Sequence, residues 1–281
     1  MSKQFQKFWD KTLQPNLQKF GVDVKRYPPE PAPRQIHWTE VVFDLILKQR
    51  ADFCVDDITA EEDFIRFCMK HSKESHSQLF QDLFVRWHFQ DKMAGYFVEF
   101  GATDGVSLSN SKSLEGVLGW QGILAEPARC WHKQLRQNRS CTIDTRCVWT
   151  TTGLFLEFKE VSVPELSTVN SFSTSDSHAA ARMSGELYSV ETVSLTDLLH
   201  QNGAPTWIDY LSIDTEGSEY EILKQLNFQQ HGIGLITVEH NYTPNRGQIF
   251  DLLTQNGFDR VFSQFSKWDD WYVNRSQKFG K

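Results

Sequence analysis

Nine residues, Phe97-Val98-Glu99-Phe100-Gly101-Ala102-Thr103-Asp104-Gly105, leave this chain little freedom in how it can fold. A short apolar strand runs straight into a turn with Gly-x-x-x-Gly spacing, and its glycines let backbone approach a ligand at the carboxyl edge of a sheet. A dinucleotide site would instead carry Gly-x-Gly-x-x-Gly, with a helix N-terminus facing a pyrophosphate. From Tyr96 onward, short apolar strands alternate with helical segments, the pattern of a doubly wound α/β sheet covered on both faces. Strands are expected at 96–100, 121–125, 141–148, 207–213 and 233–239. Helices are expected near 109–118, 127–138, 194–201, 217–226 and 247–256. Segments 258–265 and 270–274 read as a terminal antiparallel hairpin that closes the sheet edge.

Upstream the pattern differs. Residues 1–27 are polar with isolated aromatics, and Pro28-Pro29-Glu30-Pro31-Ala32-Pro33 reads as a stiff extended linker. Trp38, Val41, Val42 and Leu45 recur at helical spacing, as do Leu79, Phe80, Leu83, Phe84 and Trp87. Thr59-Ala60-Glu61-Glu62 is a capping box, so a further helix starts at Ala60 and carries Phe64, Ile65, Phe67 and Cys68. The division expected is an arm with a helical cap over 1–90 and the α/β domain over 91–281. The Ser/Thr-rich stretch 167–177 reads as a mobile loop.

Charge and cysteine usage narrow the partners. The net charge is −7 and the 29 Lys and Arg are scattered, so no basic stripe is present to neutralise nucleic-acid phosphates, and a nucleic-acid substrate is disfavoured. The longest apolar run, 41–47, is interrupted by Asp44 and too short for a membrane span; residues 1–12 do not form a secretory signal. The five cysteines form no Cys-x-x-Cys pair, which favours reduced thiols and a cytoplasmic setting over disulfides or zinc.

The turn suits S-adenosylmethionine, which has no phosphate but carries an amino acid end and a cationic sulfonium. Backbone at Gly101, Ala102 and Gly105 would approach it, and Glu99 and Asp104 would answer its charge. Glu126, which with Pro127 follows the strand 121–125, can accept two hydrogen bonds from a ribose diol; its alternative is a first-turn acid favoured by the helix dipole. Cys147 and Val148, beside Asp144, are placed for an adenine ring, although Cys147 equally reads as core. Asp214 follows the strand 207–213, and Glu239 and His240 follow 233–239, so all three should converge at one sheet edge. Two mechanisms stand: His240 as general base, or Asp214, Glu239 and His240 holding magnesium or manganese. Glu216, Glu219 and Glu221 lie in a helix first turn, where acids need no function, and capping is the reading for the last two.

The chain resembles the FkbM-type methyltransferases in Ser77-Gln78, Gln81-Asp82-Leu83-Phe84, Phe97 to Gly105, Leu108-Ser109-Asn110 and Gly119 to Pro127. The resemblance continues through Ser194 to Leu199, Ile208 to Gly217, Glu239-His240 and Gly257-Phe258, covering roughly 77–273. It implies a class I methyltransferase (Rossmann-like) fold, cofactor contacts at the positions above with Asn110 and Asp214 among them, and O-methylation, often of a sugar or polyketide hydroxyl. Two departures stand out. Ser212 occupies a position where the family often has lysine, and residues 1–76 have no family counterpart, which marks the N-terminal helices as a substrate-specific or homo-oligomer-forming element. The expected protein is an O-methyltransferase acting on a small molecule or glycan hydroxyl. The alternatives are a NAD-dependent oxidoreductase and a cofactor-binding scaffold without turnover.

Overall fold

The computed structural model describes residues 59–174 and 178–277, with Lys11 and Val42 besides. The arm 1–27, the proline-rich linker and the helix expected around 38–45 lie outside the described residues. The chain divides into two compact units, Met1–Cys54 and Val55–Lys281, and the second carries the fold.

Helix α1 (Ala60–His71) starts where its capping box requires: Thr59 Oγ1 accepts the Glu62 N–H, and Glu62 returns a carboxylate to the Thr59 N–H. Helix α2 (Gln81–His88) follows a left-handed Phe80. Both bury their apolar faces against the sheet. Phe64 stacks on Phe262 at 5.0 Å between ring centroids, and Phe84 stacks on Trp271 at 4.9 Å. These helices therefore share a core with the sheet.

The main sheet has seven strands in the order β10-β11-β9-β8-β1-β2-β3. In chain order they are β1 (Tyr96–Phe100), β2 (Gln121–Ala125), β3 (Thr142–Asp144), β8 (Trp207–Ile213), β9 (Gly232–Glu239), β10 (Phe258–Val261) and β11 (Asp269–Asn274). The first five are parallel, while β11 runs antiparallel between β9 and β10. Alternate residues feed two cores. Val98, Phe100, Ile123 and Ile213 pack on one face, and Phe97, Leu124, Tyr210 and Trp271 on the other, as expected of strands covered on both sides. The covering helices are α3 (Lys112–Leu118), α4 (His132–Asn138), α5 (Leu195–Gln201), α6 (Glu219–Leu223) and α7 (Asn245–Gln255).

The expected single strand over 141–148 is two. After β3 the chain turns at Thr145 and Arg146, where Asp144 accepts the Arg146 N–H and its guanidinium, and β4 (Cys147–Trp149) joins another sheet. That sheet, in the order β4-β7-β5-β6, adds β5 (Phe155–Val161), β6 (Thr168–Val169) and β7 (Gly185–Ser194). Sequence patterning misses it because one face is exposed and mixed: Phe155 and Leu187 point outward beside Glu157 and Glu191, which hides the alternation. The stretch read as a mobile loop includes β6 and a 3-10 turn over Asn170–Phe172, with Val169 in the small sheet's core. Residues 175–177 lie outside the description.

Candidate cofactor and transfer site

A cleft of about 480 Å³ opens beyond the carboxyl ends of β1, β2, β8 and β9. The chain leaves β1 for β2 and β3 on one side and returns as β8 and β9 on the other, so the cleft sits where the strand order reverses.

The turn after β1 is shaped by backbone crowding. Gly101 has φ +71, and a Cβ there would lie 2.0 Å from the Asp214 carbonyl oxygen. Gly105, at φ +78, packs on helix α4, where a Cβ would meet Arg139 Cγ at 2.6 Å. The glycines thus allow β1 and β8 to meet closely and α4 to seal the turn behind. Asp104 stays within the turn, accepting the Val106 and Ser107 N–H groups at 2.8 and 2.7 Å. Of the expected cofactor residues, Glu99, Gly101, Asn110, Glu126, Pro127, Cys147, Val148 and Asp214 line the cleft. Ala102, Asp104 and Gly105 do not, because Ala102 is buried in the core, Asp104 caps its own turn and Gly105 faces α4.

Glu99 is buried and accepts the Asn110 N–H at 2.7 Å and the Ser109 and Ser111 hydroxyls. Arg139 stands behind it, donating to Gly105 O and to both serines, with its guanidinium 3.9 Å from Glu99. Burial still leaves Glu99 above the ordinary carboxylate range, against the pull of Arg139. Asn110 donates to Ser212 Oγ at 2.9 Å, while its side-chain carbonyl is buried without a hydrogen-bond partner. An orphaned acceptor in the cleft fits the ammonium of an amino acid end.

Glu126 closes the other end. Its Oε2 accepts the Thr103 N–H at 2.8 Å and its Oε1 the Ala128 N–H at 2.7 Å, leaving further lone pairs for a diol. Burial pushes its carboxyl up to about 7 despite those donors. Together with the apolar wall of Cys147 and Val148, these groups fit S-adenosylmethionine.

Between the two ends lies a cluster of acids. Asp214, Glu216 and Glu239 each bring a carboxylate oxygen within 4.8 Å of the others. Burial pushes Asp214 up to about 7, and burial with the neighbouring Asp214 and Glu216 carboxylates holds Glu239 well above its ordinary range. Asp269, also raised to about 7 by burial, accepts from Gln81 Nε2 at 2.7 Å. Trp268 and Gln78 meet at the mouth, indole N–H to amide oxygen at 3.1 Å, and Tyr242 stands 66% exposed beside Asn241.

His240 departs from the expected cluster. It is 3% exposed and absent from the cleft lining, because its ring turns towards the terminal strands. Nδ1 accepts the Tyr242 N–H at 3.0 Å, and Nε2 lies 3.7 Å from Asp270, which Arg246 grips with two nitrogens. Asn241 and Tyr242 take left-handed φ of 43° and 55°. His240 thus braces a turn, and the structure brings Glu216, not His240, beside Asp214 and Glu239. Glu216 escaped the sequence reading because it looked like a helix first-turn acid; with φ +59 it precedes α6 and faces the cleft. Glu219 caps its turn, accepting the Thr215 and Gly217 N–H groups, and is buried where a solvated first-turn acid was expected. Asp269 and Trp268 carried no motif. Gln78 and Gln81 belonged to the resemblance without an assigned role.

A strand order of this kind, with a glycine turn, a strand-end acid and an acid-lined cleft at the reversal point, defines a Rossmann-like methyltransferase. The FkbM methyltransferase domain matches residues 99–279, more than half of the chain, and the chain belongs to that family. Membership implies S-adenosylmethionine as methyl donor. Among solved structures, the FkbM methyltransferase of Methylobacillus flagellatus KT shares 13% identity over 75% of this chain and 59% of its own, with a TM-score of 0.41. This chain therefore spans less than two thirds of that protein. A precorrin-6y C5,15-methyltransferase from Geobacter metallireducens GS-15 shares 9% identity over 68% of this chain and 85% of its own, at a TM-score of 0.36. The human methyltransferase 10 domain containing protein shares 9% identity over 77% and 98%, at 0.36. No curated protein matches the chain by sequence. Among the described residues no helix is long and apolar enough to cross a membrane.

Proposed function

We propose that this chain is an S-adenosylmethionine-dependent O-methyltransferase that acts on a hydroxyl of a sugar, glycan or glycosylated metabolite. The observation that carries this reading is the side-chain set at the cleft mouth: the aromatic rings of Trp268 and Tyr242 beside the amides of Gln78 and Asn241, with Gln81 and the carboxylates further inside. Aromatic faces with amide donors and acceptors suit a polyol.

When bound, S-adenosylmethionine supplies a methyl group already activated by its sulfonium. The chain's own work is binding, alignment and proton removal. Glu126 would hold the ribose diol, and Asn110 would receive the ammonium. Asp214 or Glu239 takes the proton of the acceptor hydroxyl; burial raises both carboxyls and so makes them stronger bases than surface acids. Asn241 Nδ2, 2.8 Å from Glu239 Oε2, orients that carboxylate. Cys68, Cys130, Cys141 and Cys147 are free thiols, in keeping with work in a reducing compartment such as the cytoplasm.

A second reading, a divalent cation at the transfer site, draws on the same closeness of Asp214, Glu216 and Glu239. Its ligand set would include Glu216 in place of His240. Labelled methyl transfer to a panel of neutral oligosaccharides, with and without chelator, tests both readings. Calorimetric binding of S-adenosylmethionine and its demethylated product, without binding of NAD, is the expected accompaniment. Tight NAD binding with no response to the other two would overturn the assignment, and transfer that survives chelation would exclude the cation.

A further inference from the structure

One wall of the cleft comes from the small sheet. Pro164, Glu165, Leu166 and Ser167, in the stretch joining β5 to β6, and Val169 of β6 line it beside the main-sheet turn at Thr215 and Glu216. Two side chains tie this wall to that turn. Thr168, 1% exposed, donates its hydroxyl to Glu216 O at 3.0 Å. Arg182, also 1% exposed, donates from Nε to Leu166 O at 2.6 Å and from Nη2 to Glu216 Oε2 at 2.6 Å.

The connection extends further. Glu216 Oε2 lies 3.4 Å from Asn241 Nδ2, which makes its 2.8 Å bond to Glu239 Oε2. Leu166, Arg182, Glu216, Asn241 and Glu239 thus form one polar chain from the wall, across the floor, to an acid of the transfer site. A buried guanidinium demands such partners, and its planar fork reaches two of them in fixed directions, which a lysine ammonium does not reproduce.

We propose that Arg182 is a positioning residue: by bridging Leu166 and Glu216 it fixes the 164–169 wall on the Thr215–Glu216 turn and, through Asn241, sets the place of the Glu239 carboxylate. The role rests on the cleft being the cofactor and acceptor site; the bridge itself does not.

Two measurements on the full chain separate those layers. The first is hydrogen–deuterium exchange. Arg182→Met should raise exchange in peptides covering both 164–169 and 215–217 by about tenfold or more while leaving β10 and β11 unchanged, the pattern of a local opening. The second is calorimetric binding of S-adenosylhomocysteine. Arg182→Met should weaken it by about tenfold, Arg182→Lys by less, and Arg182→Met with Glu216→Gln should recover part of the loss, since the buried charge that Arg182 faces is then removed as well. Unchanged exchange at both segments in a folded Arg182→Met protein would overturn the bridge. Loosened segments with unchanged affinity would reduce Arg182 to a structural tie and overturn its positioning role. Should Arg182→Met fail to fold, Arg182→Lys and Glu216→Gln carry the same comparison, and normal exchange in both would overturn the proposal. Wild-type protein that binds no S-adenosylhomocysteine would sink the cofactor reading, and the exchange data would still decide the bridge.

Discussion

Glu126 grips Thr103: the acid at the end of β2 accepts a backbone N–H at 2.8 Å from the turn that follows β1. With the Ala128 N–H on its other oxygen, this one carboxylate fixes two backbone segments and faces the cleft as well. Glutamine is therefore a poor substitute, because its amide NH2 must confront one of the two N–H groups. Glu126→Gln and Glu126→Ala should each cost about 1–3 kcal/mol of stability through an unpaired buried donor, and each should weaken S-adenosylhomocysteine binding. Denaturant unfolding and calorimetry check this. A glutamine variant with wild-type stability and affinity would place the ribose elsewhere.

Gly101→Ala should be far more damaging than its size suggests, since its Cβ would press on the Asp214 carbonyl from a left-handed backbone. Gly116→Ala is the control. That glycine lies in helix α3 with nothing within 4 Å of an added Cβ, so alanine there should stabilise by up to about 1 kcal/mol. Thermal unfolding of the two variants should move in opposite directions. Equal shifts would mean that β1 and β8 do not meet as described.

Stability of the ligand-free protein should fall as pH rises from 6.5 to 8. Glu126 and Asp269, raised by burial to about 7, keep in the fold a proton that the unfolded chain releases near 4 to 4.5. The stability this supplies is complete below the unfolded values and is lost as pH rises through 7, on the order of 1 kcal/mol per group across this window. His88, lowered by burial to about 4, acts in the opposite sense, but only below its ordinary value of 6.5. Melting curves should show the decline, and cationic S-adenosylmethionine should flatten it. A rise in stability over this range contradicts the burial of these acids.

His240→Asn should retain most of the transfer rate, because asparagine can still accept the Tyr242 N–H that Nδ1 now receives. His240→Ala should lose stability, together with acceptor affinity, as the left-handed Asn241–Tyr242 turn relaxes. A general base would behave differently, with either change cutting kcat by roughly 10²–10⁴-fold. Steady-state kinetics on an identified acceptor distinguishes the two outcomes.

Local pattern made most of the main sheet legible. Strands β1, β2 and β8 lie where apolar runs place them, and Thr59 starts α1 as its capping box requires. The same logic located Glu126, Asp214 and Glu239, because an acid that ends a parallel strand must emerge at one edge. It failed where contact partners lie far apart in the chain. Nothing local marks Arg182 as the partner of Glu216, or Asp269 as a neighbour of Gln81. Nor does strand position alone give side-chain direction: His240 follows Glu239 yet turns to the opposite side, as successive residues of an extended chain do.

The insertion of β11 between β9 and β10 bears on the order in which the protein can be assembled. A nascent chain that has emerged only through β10 exposes the whole edge of β9, an open template for another strand. It also lacks Trp271, against which α2 packs, and Asp269 at the cleft. The cleft is therefore completed only late in synthesis, and chains stalled short of Asp269 should be prone to aggregate.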